Sequence, residues 1–167
     1  MIEKLLRSCP DIDKVYVLTR SKKGRDIQER IDDLVNVPLF DKLRESNAKA
    51  LEKIIAMEGD IGEKNLGISQ ADMKVIHENV GIIFHSAATI KFDEPLRVAT
   101  QLNVCAVKEV LSMCHKMQKL KAMIHISTAY TNCDQIEARE VIYPRKYQPD
   151  DIFDLLKTHS DAEILKV

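Results

Sequence analysis

The spacing of apolar positions changes period several times along the chain, and each change marks the border of a helix or a strand. Ile2, Leu5 and Leu6 share one helical face, and Pro10 ends that segment. Val15-Tyr16-Val17-Leu18 is an apolar, β-branched and aromatic run without alternation, which suits a parallel strand covered on both faces. From Arg25 to Val35 the residues Ile27, Ile31, Leu34 and Val35 line one face opposite charged positions, until Asn36-Val37-Pro38 interrupts. Phe40 to Leu51 reads as helical or irregular, with the mixed charges of Lys42 to Lys53 on an exposed face, and leads to a second strand, Ile54-Ile55-Ala56-Met57. Ser69 to Glu78 begins like a capping box, Ser69 as N-cap and Asp72 three positions on. A third strand is predicted over Val80 to Phe84, one long helix from Pro95 to about Met117, and a fourth strand over Ala122 to Ile126. After Tyr130 the pattern weakens, and Pro144 and Pro149 bound a loop before a short helix, Asp150 to Thr158.

Strands alternating with helices imply right-handed crossovers, and hence an α/β fold with a doubly wound parallel sheet. At 167 residues the chain is sized for one domain, and 45% hydrophobic against 31% charged residues is enough apolar material for a core. Its 25 basic and 26 acidic residues leave a net charge of -1, which gives no electrostatic basis for binding nucleic acid or an anionic membrane. No apolar run approaches the roughly 18 residues of a spanning helix, and the N-terminus does not read as a signal peptide. Cys9, Cys105, Cys114 and Cys133 form no CxxC pair and read as buried thiols of a reducing, intracellular compartment.

In open parallel sheets ligands bind beyond the carboxyl ends of the strands. The residues there are Thr19-Arg20, Gly59-Asp60, His85-Ser86-Ala87-Ala88 and Ser127-Thr128. All four edges are small or polar, which admits flat rings near the backbone and offers oriented hydrogen bonds to a dinucleotide-sized ligand. Arg20 begins a basic stretch with Lys22, Lys23 and Arg25, and no acid intervenes before Asp26. In such folds a base there accommodates the 2′-phosphate of NADP, where an acid takes the ribose of NAD. Asn103 falls on a helical stripe with Ala99, Ala106, Val107, Val110 and Cys114. An unpaired buried amide costs roughly 1–3 kcal/mol, so Asn103 needs partners, either in the neighbouring strand or in a water chain. His85 and His125 each close a strand without ligand-spaced neighbours, so no metal site is expected, and Met113, Met117 and Met123 read as core filler.

Five stretches carry a family resemblance: VYVLTRSKKG at 15–24, MEGDI at 57–61, IIFHSAATIKFDEPL at 82–96, LNV at 102–104 and HISTAYTNC at 125–133. In order and spacing the chain resembles the extended short-chain dehydrogenase/reductases, and within them the alcohol-forming fatty acyl-CoA reductases of the male-sterility type. The resemblance implies a Rossmann-type fold, NADPH as cofactor and long-chain fatty acyl-CoA as substrate, reduced to a fatty alcohol. It implies that Asp60 and Ile61 line the adenine pocket, that Ser86, Ala87 and Ala88 run beside the pyrophosphate and nicotinamide ribose, and that Arg20 selects NADP. It places Thr128, with Ser127, where a hydroxyl meets the substrate carbonyl, and Asn103 where the family holds a relay water.

The family also has a first strand with a TGxxGxxG turn, which cradles the pyrophosphate on backbone N–H groups, and a YxxxK pair. Neither is in this sequence: the fourth residues after Tyr16, Tyr130, Tyr143 and Tyr147 are Arg20, Asp134, Tyr147 and Asp151. Residues 1–167 therefore read as a partial reductase domain truncated at both ends, its sheet incomplete, the four strands forming two pairs. Such a fragment is expected to be unstable alone and to bind nicotinamide cofactor poorly. The alternatives are a related extended reductase acting on a sterol or sugar nucleotide, and a non-catalytic dinucleotide-fold binding module. The family's usual place is the endoplasmic reticulum or peroxisomal membrane, reached through regions outside these residues.

Overall fold

The computed structural model describes residues 1–21, 25–144 and 147–164. Lys22, Lys23 and Gly24, part of the basic stretch and of the first matching string, lie outside the described residues. The chain divides into two compact units, Met1–Lys74 and Val75–Val167. Each contains one pair of parallel strands.

The first unit comprises α1 (Ile2–Ser8), β1 (Val15–Thr19), α2 (Ile27–Val35), α3 (Asp41–Asn47) and β2 (Ile54–Glu58), with short 3₁₀ turns at Pro38–Phe40 and Ala48–Lys53. β1 and β2 pair in parallel, Val15 opposite Ile54 and Thr19 opposite Glu58. Successive strand residues point to opposite faces, so Val15, Val17, Ile54 and Ala56 share one face, and all four join the core of Leu6, Ile31, Phe40, Leu43 and Ala50. Their helical partners come from the apolar stripes of α1, α2 and α3. Glu3 is buried in α1 and accepts from Arg7 Nε at 2.6 Å, and this guanidinium holds its carboxyl below the usual range. Lys53 Nζ donates to the carbonyls of Pro10 and Ile12, at 2.9 and 2.5 Å, and so ties the α1–β1 loop to the approach to β2.

Helix α4 (Gln70–Asn79) straddles the division. As its sequence suggests, the Ser69 hydroxyl accepts from Asp72 N at 3.1 Å and donates to the Asp72 carboxylate at 2.9 Å. The second unit continues with β3 (Ile82–His85), α5 (Leu96–Thr100), α6 (Ala106–Cys114), β4 (Ala122–His125), α7 (Pro149–Thr158) and α8 (Asp161–Ile164). β3 and β4 pair in parallel from Ile82 opposite Ala122 to His85 opposite His125. The third strand therefore starts two residues later than Val80, the fourth ends one residue before Ile126, and the pairing into two couples is as the sequence suggests.

Two expectations fail here. The single helix from Pro95 to Met117 is broken by a π-helical turn, Gln101–Cys105, in which Ala106 N donates to Gln101 O five residues back. The α-helical spacing that put Asn103 on an apolar stripe does not run through a π turn. Asn103 is exposed, while Thr100, Ala106, Val110, Met113 and Cys114 are buried. The cysteines also differ from expectation: all are free, but Cys9 and Cys133 are exposed, because they sit in connecting segments after α1 and β4 and not in packed helices. Among the described residues no helix is long and apolar enough to cross a membrane.

At the carboxyl ends of β3 and β4 the His85 and His125 rings stack with centroids 5.2 Å apart. His85 is 5% exposed and its Nε2 has no protein partner. Burial first, and then the neighbouring His125, hold its imidazole below the ordinary 6.5.

Leu43, fully buried, should cost about 2–5 kcal/mol of unfolding free energy as Leu43→Ala. Leu39→Ala, at 65% exposed, should cost less than about 0.5 kcal/mol in the same urea titrations. Because the folded His85 imidazole is held below its ordinary value, the unfolded chain takes up that proton first as pH falls through about 6.5, so stability falls as pH drops through that region. His85→Phe keeps a ring in the stack and should flatten the decline of melting temperature between about pH 7.5 and 5.5; an unchanged slope would contradict a lowered His85 pKa in the folded protein.

Candidate functional site

Parallel pairing places the carboxyl ends of β1 and β2 side by side. Gly59 N donates to Thr19 O at 3.2 Å, which carries the pairing one step past both strands. Glycine is required at 59 because a Cβ there would meet Leu18 Cδ1 at 2.4 Å and Leu66 O at 2.6 Å. What crowds it is a left-handed turn: Asn65, Leu66 and Gly67 have φ of 52°, 59° and 61°. Asparagine and glycine tolerate that region, but a leucine there costs on the order of 1–3 kcal/mol. The cost is offset by the Leu66 side chain, 2% exposed, and by its carbonyl, which accepts from Asp60 N at 2.8 Å.

This scaffold fixes Asp60. One carboxylate oxygen accepts from Gly62 N at 2.8 Å, and the other lies 3.6 Å from an Arg20 guanidinium nitrogen. A carboxylate has about four lone-pair directions, so Asp60 retains acceptor capacity for a ligand donor. Ile61, half-buried, follows it directly. Arg20 is 67% exposed along its side chain and so can reach an anion in solvent. Its own carbonyl accepts from Arg30 Nη1 of α2 at 2.5 Å. Arg30 was missed by sequence reasoning, because the charged face of a helix does not announce which loop it holds.

In the second unit Ser86, Ala87 and Ala88 follow β3 as an exposed strip of small residues. The strip is held at its far end by Asn103, whose Oδ1 accepts from Thr89 N at 2.8 Å and whose Nδ2 donates to Thr89 O at 3.3 Å. Of the two uses open to its amide, the structure shows backbone pairing with the loop after β3, with one amide hydrogen and one lone pair left over. After β4, Thr128 caps the 3₁₀ turn Ala129–Asn132: its Oγ1 accepts from Tyr130 N at 3.3 Å. Because a backbone amide takes one of its lone pairs, the Thr128 hydroxyl hydrogen remains available to a carbonyl oxygen. Thr131 Oγ1 donates to Thr128 O at 2.8 Å and lies 3.3 Å from Ser127 Oγ, so these three hydroxyl residues form one polar cluster. Thr131 is the second residue missed; only its spacing within the turn could have pointed to it. Among the described residues, no three His, Cys, Asp or Glu side chains converge as a metal site.

In the first unit a cationic Arg20 stands beside Asp60, and in the second an exposed strip of small residues follows β3 and the Thr128 hydroxyl follows β4. The NAD-binding family described as male sterility protein matches residues 1–164. Human fatty acyl-CoA reductase 1 is 42% identical over 162 residues, 97% of this chain and 32% of that protein. Human fatty acyl-CoA reductase 2 is 43% identical over 164 residues, 98% of this chain and 32% of its own length. The chain thus spans about a third of the length of the curated relatives it matches. Among solved structures, the reductase domain of a non-ribosomal peptide synthetase from Mycobacterium tuberculosis is similar with a TM-score of 0.60 at 25% identity, covering 80% of this chain and 30% of that one. The terminal R domain of the myxalamid pathway gives 0.60 at 26%, covering 76% and 31%. With parallel strands, small residues at their carboxyl ends and a family match over nearly its whole length, this chain belongs to the male sterility family of NAD-binding domains, with the Rossmann-like fold of the extended short-chain reductases.

Proposed function

We propose that these residues are part of a longer NADPH-dependent reductase that converts long-chain fatty acyl-CoA to fatty alcohol. The observation that carries the reading is the Thr128 hydroxyl, exposed beyond the end of β4 and oriented by Tyr130 N. When bound, the reduced nicotinamide supplies hydride to the carbonyl carbon. The Thr128 hydroxyl donates to the carbonyl oxygen as it gains negative charge, first at the thioester, which after one hydride expels CoA as its thiol, and then at the aldehyde, which takes a second hydride from a second NADPH and a proton to become the alcohol. Ser127 and Thr131 fix the backbone that presents it. Asp60 accepts from the adenine amino group, Ile61 packs on the ring, and Arg20 meets the 2′-phosphate with its turn braced by Arg30. Ser86, Ala87 and Ala88 leave room for the pyrophosphate and nicotinamide ribose. The amide hydrogen and lone pair that Asn103 has to spare hold the relay water.

In this reading the TGxxGxxG turn and the YxxxK pair belong to other parts of the same protein, as does any attachment to the endoplasmic reticulum or peroxisomal membrane. The relatives' names support fatty acyl-CoA over a sterol or sugar nucleotide, as does the family resemblance carried by residues 82–96 and 125–133.

The test is steady-state kinetics of the longer protein with palmitoyl-CoA. Thr128→Val should lower kcat roughly 100- to 1,000-fold, as loss of one oxyanion donor does. Arg20→Ala should raise the KM for NADPH roughly 10- to 100-fold and leave that for NADH nearly unchanged, the signature of a lost charge-assisted bond to phosphate. Equal use of both cofactors by the unsubstituted enzyme would reject the assignment of NADPH.

A further inference from the structure

Close in sequence to Thr128 lies an exposed aromatic pair that none of the residue roles above uses. Phe92 is 87% exposed and Tyr130 68%, yet their rings meet edge to face with centroids 5.7 Å apart. Tyr130 is two residues from Thr128 and donates its backbone N–H to that hydroxyl oxygen. Ile90, 87% exposed, and Ile126, 51% exposed, flank the two rings in sequence. Lys91, the charged residue between Ile90 and Phe92, is paired with Glu94 at 3.2 Å.

The two segments that carry the rings are fixed separately. Thr89, three residues before Phe92, is bonded through both backbone groups to the Asn103 amide. Tyr130 sits in a 3₁₀ turn fastened by the Thr128 and Thr131 side chains. The aromatic pair is therefore preorganised rather than left on a loose end. Each ring can bury about 150–250 Å², and an edge-to-face pair adds a specific geometry to that area. Together they offer less than the roughly 800 Å² per side of a stable protein interface, but enough for a hydrocarbon chain.

We propose that Phe92 and Tyr130 form the wall that receives the acyl chain next to the reacting thioester carbonyl, and so set the enzyme's preference for long chains. This rests on the reading of the protein as an acyl-CoA reductase and adds which residues of this chain recognise the hydrocarbon. The carbonyl oxygen faces Thr128, and the first methylenes leave it across the Tyr130 ring toward Phe92. Neither ring takes part in proton or hydride movement.

The experiment uses the longer reductase and a series of saturated acyl-CoA substrates from butanoyl to hexadecanoyl. Phe92→Ala and Tyr130→Ala should each lower kcat/KM for hexadecanoyl-CoA by roughly tenfold or more, while butanoyl-CoA changes by less than about twofold. The KM for NADPH should stay put, and Phe92→Leu and Tyr130→Phe should recover most of the long-chain rate. A uniform fall at every chain length, or no change at any, would overturn the assignment of the wall while leaving the reductase reading intact. If the unsubstituted protein reduces no acyl-CoA of any length but does reduce other carbonyl compounds, the acyl-CoA reading itself is wrong, and the wall falls with it. Both rings are largely exposed, and unchanged circular dichroism melts of the variants would separate an effect on substrate from loss of fold.

Discussion

A parallel pair of strands sends both chains out at the same edge, and almost everything functional in this protein follows from that constraint. Because β1 and β2 run the same way, Arg20 and Asp60 emerge as neighbours although forty positions separate them. Because β3 and β4 do likewise, the small residues after His85 and the hydroxyls after His125 begin side by side. Antiparallel pairing with the same residues would put these groups at opposite ends. The backbone bonds of the ladder therefore select which side chains can share a ligand.

Around that edge the chain accepts local strain and crowding in return for rigidity. Leu66 adopts a left-handed conformation, and Gly59 is hemmed in on two sides. Both serve to place Asp60, whose amide and carboxylate are each held by the same short loop. At the second edge the fixing is done by side chains: the Asn103 amide on one segment and the Thr128 and Thr131 hydroxyls on the other. Groups that must meet a ligand with defined geometry gain from such prior ordering, because little freedom remains to be lost on binding.

Much of this was legible in the sequence, for physical reasons that differ by element. The strands were readable because four continuous β-branched and apolar runs have few other uses, and the Ser69–Asp72 cap because its spacing is dictated by the first helical turn. The strand-end residues were found from topology alone. Asn103 was found for a wrong reason: helical periodicity buried it, whereas the π turn exposes it and gives its amide to Thr89. A π turn differs from an α turn by one backbone bond, and composition over five residues does not encode that choice. Arg30 and Thr131 escaped because each acts on a backbone carbonyl, and such bonds leave no pattern in side-chain hydrophobicity.

The same π turn has a consequence for how this helix can change. Above it, α5 contributes to the segment around the exposed loop; below it, α6 keeps Ala106, Val110, Met113 and Cys114 against the core. The wide turn sets the two halves out of the phase that continuous α-helical spacing would give them. Insertions or deletions on the α5 side can thus be absorbed by widening or tightening a single turn, while the packed half keeps its register. The protein holds an adjustable joint where a regular helix would have transmitted every change along its length.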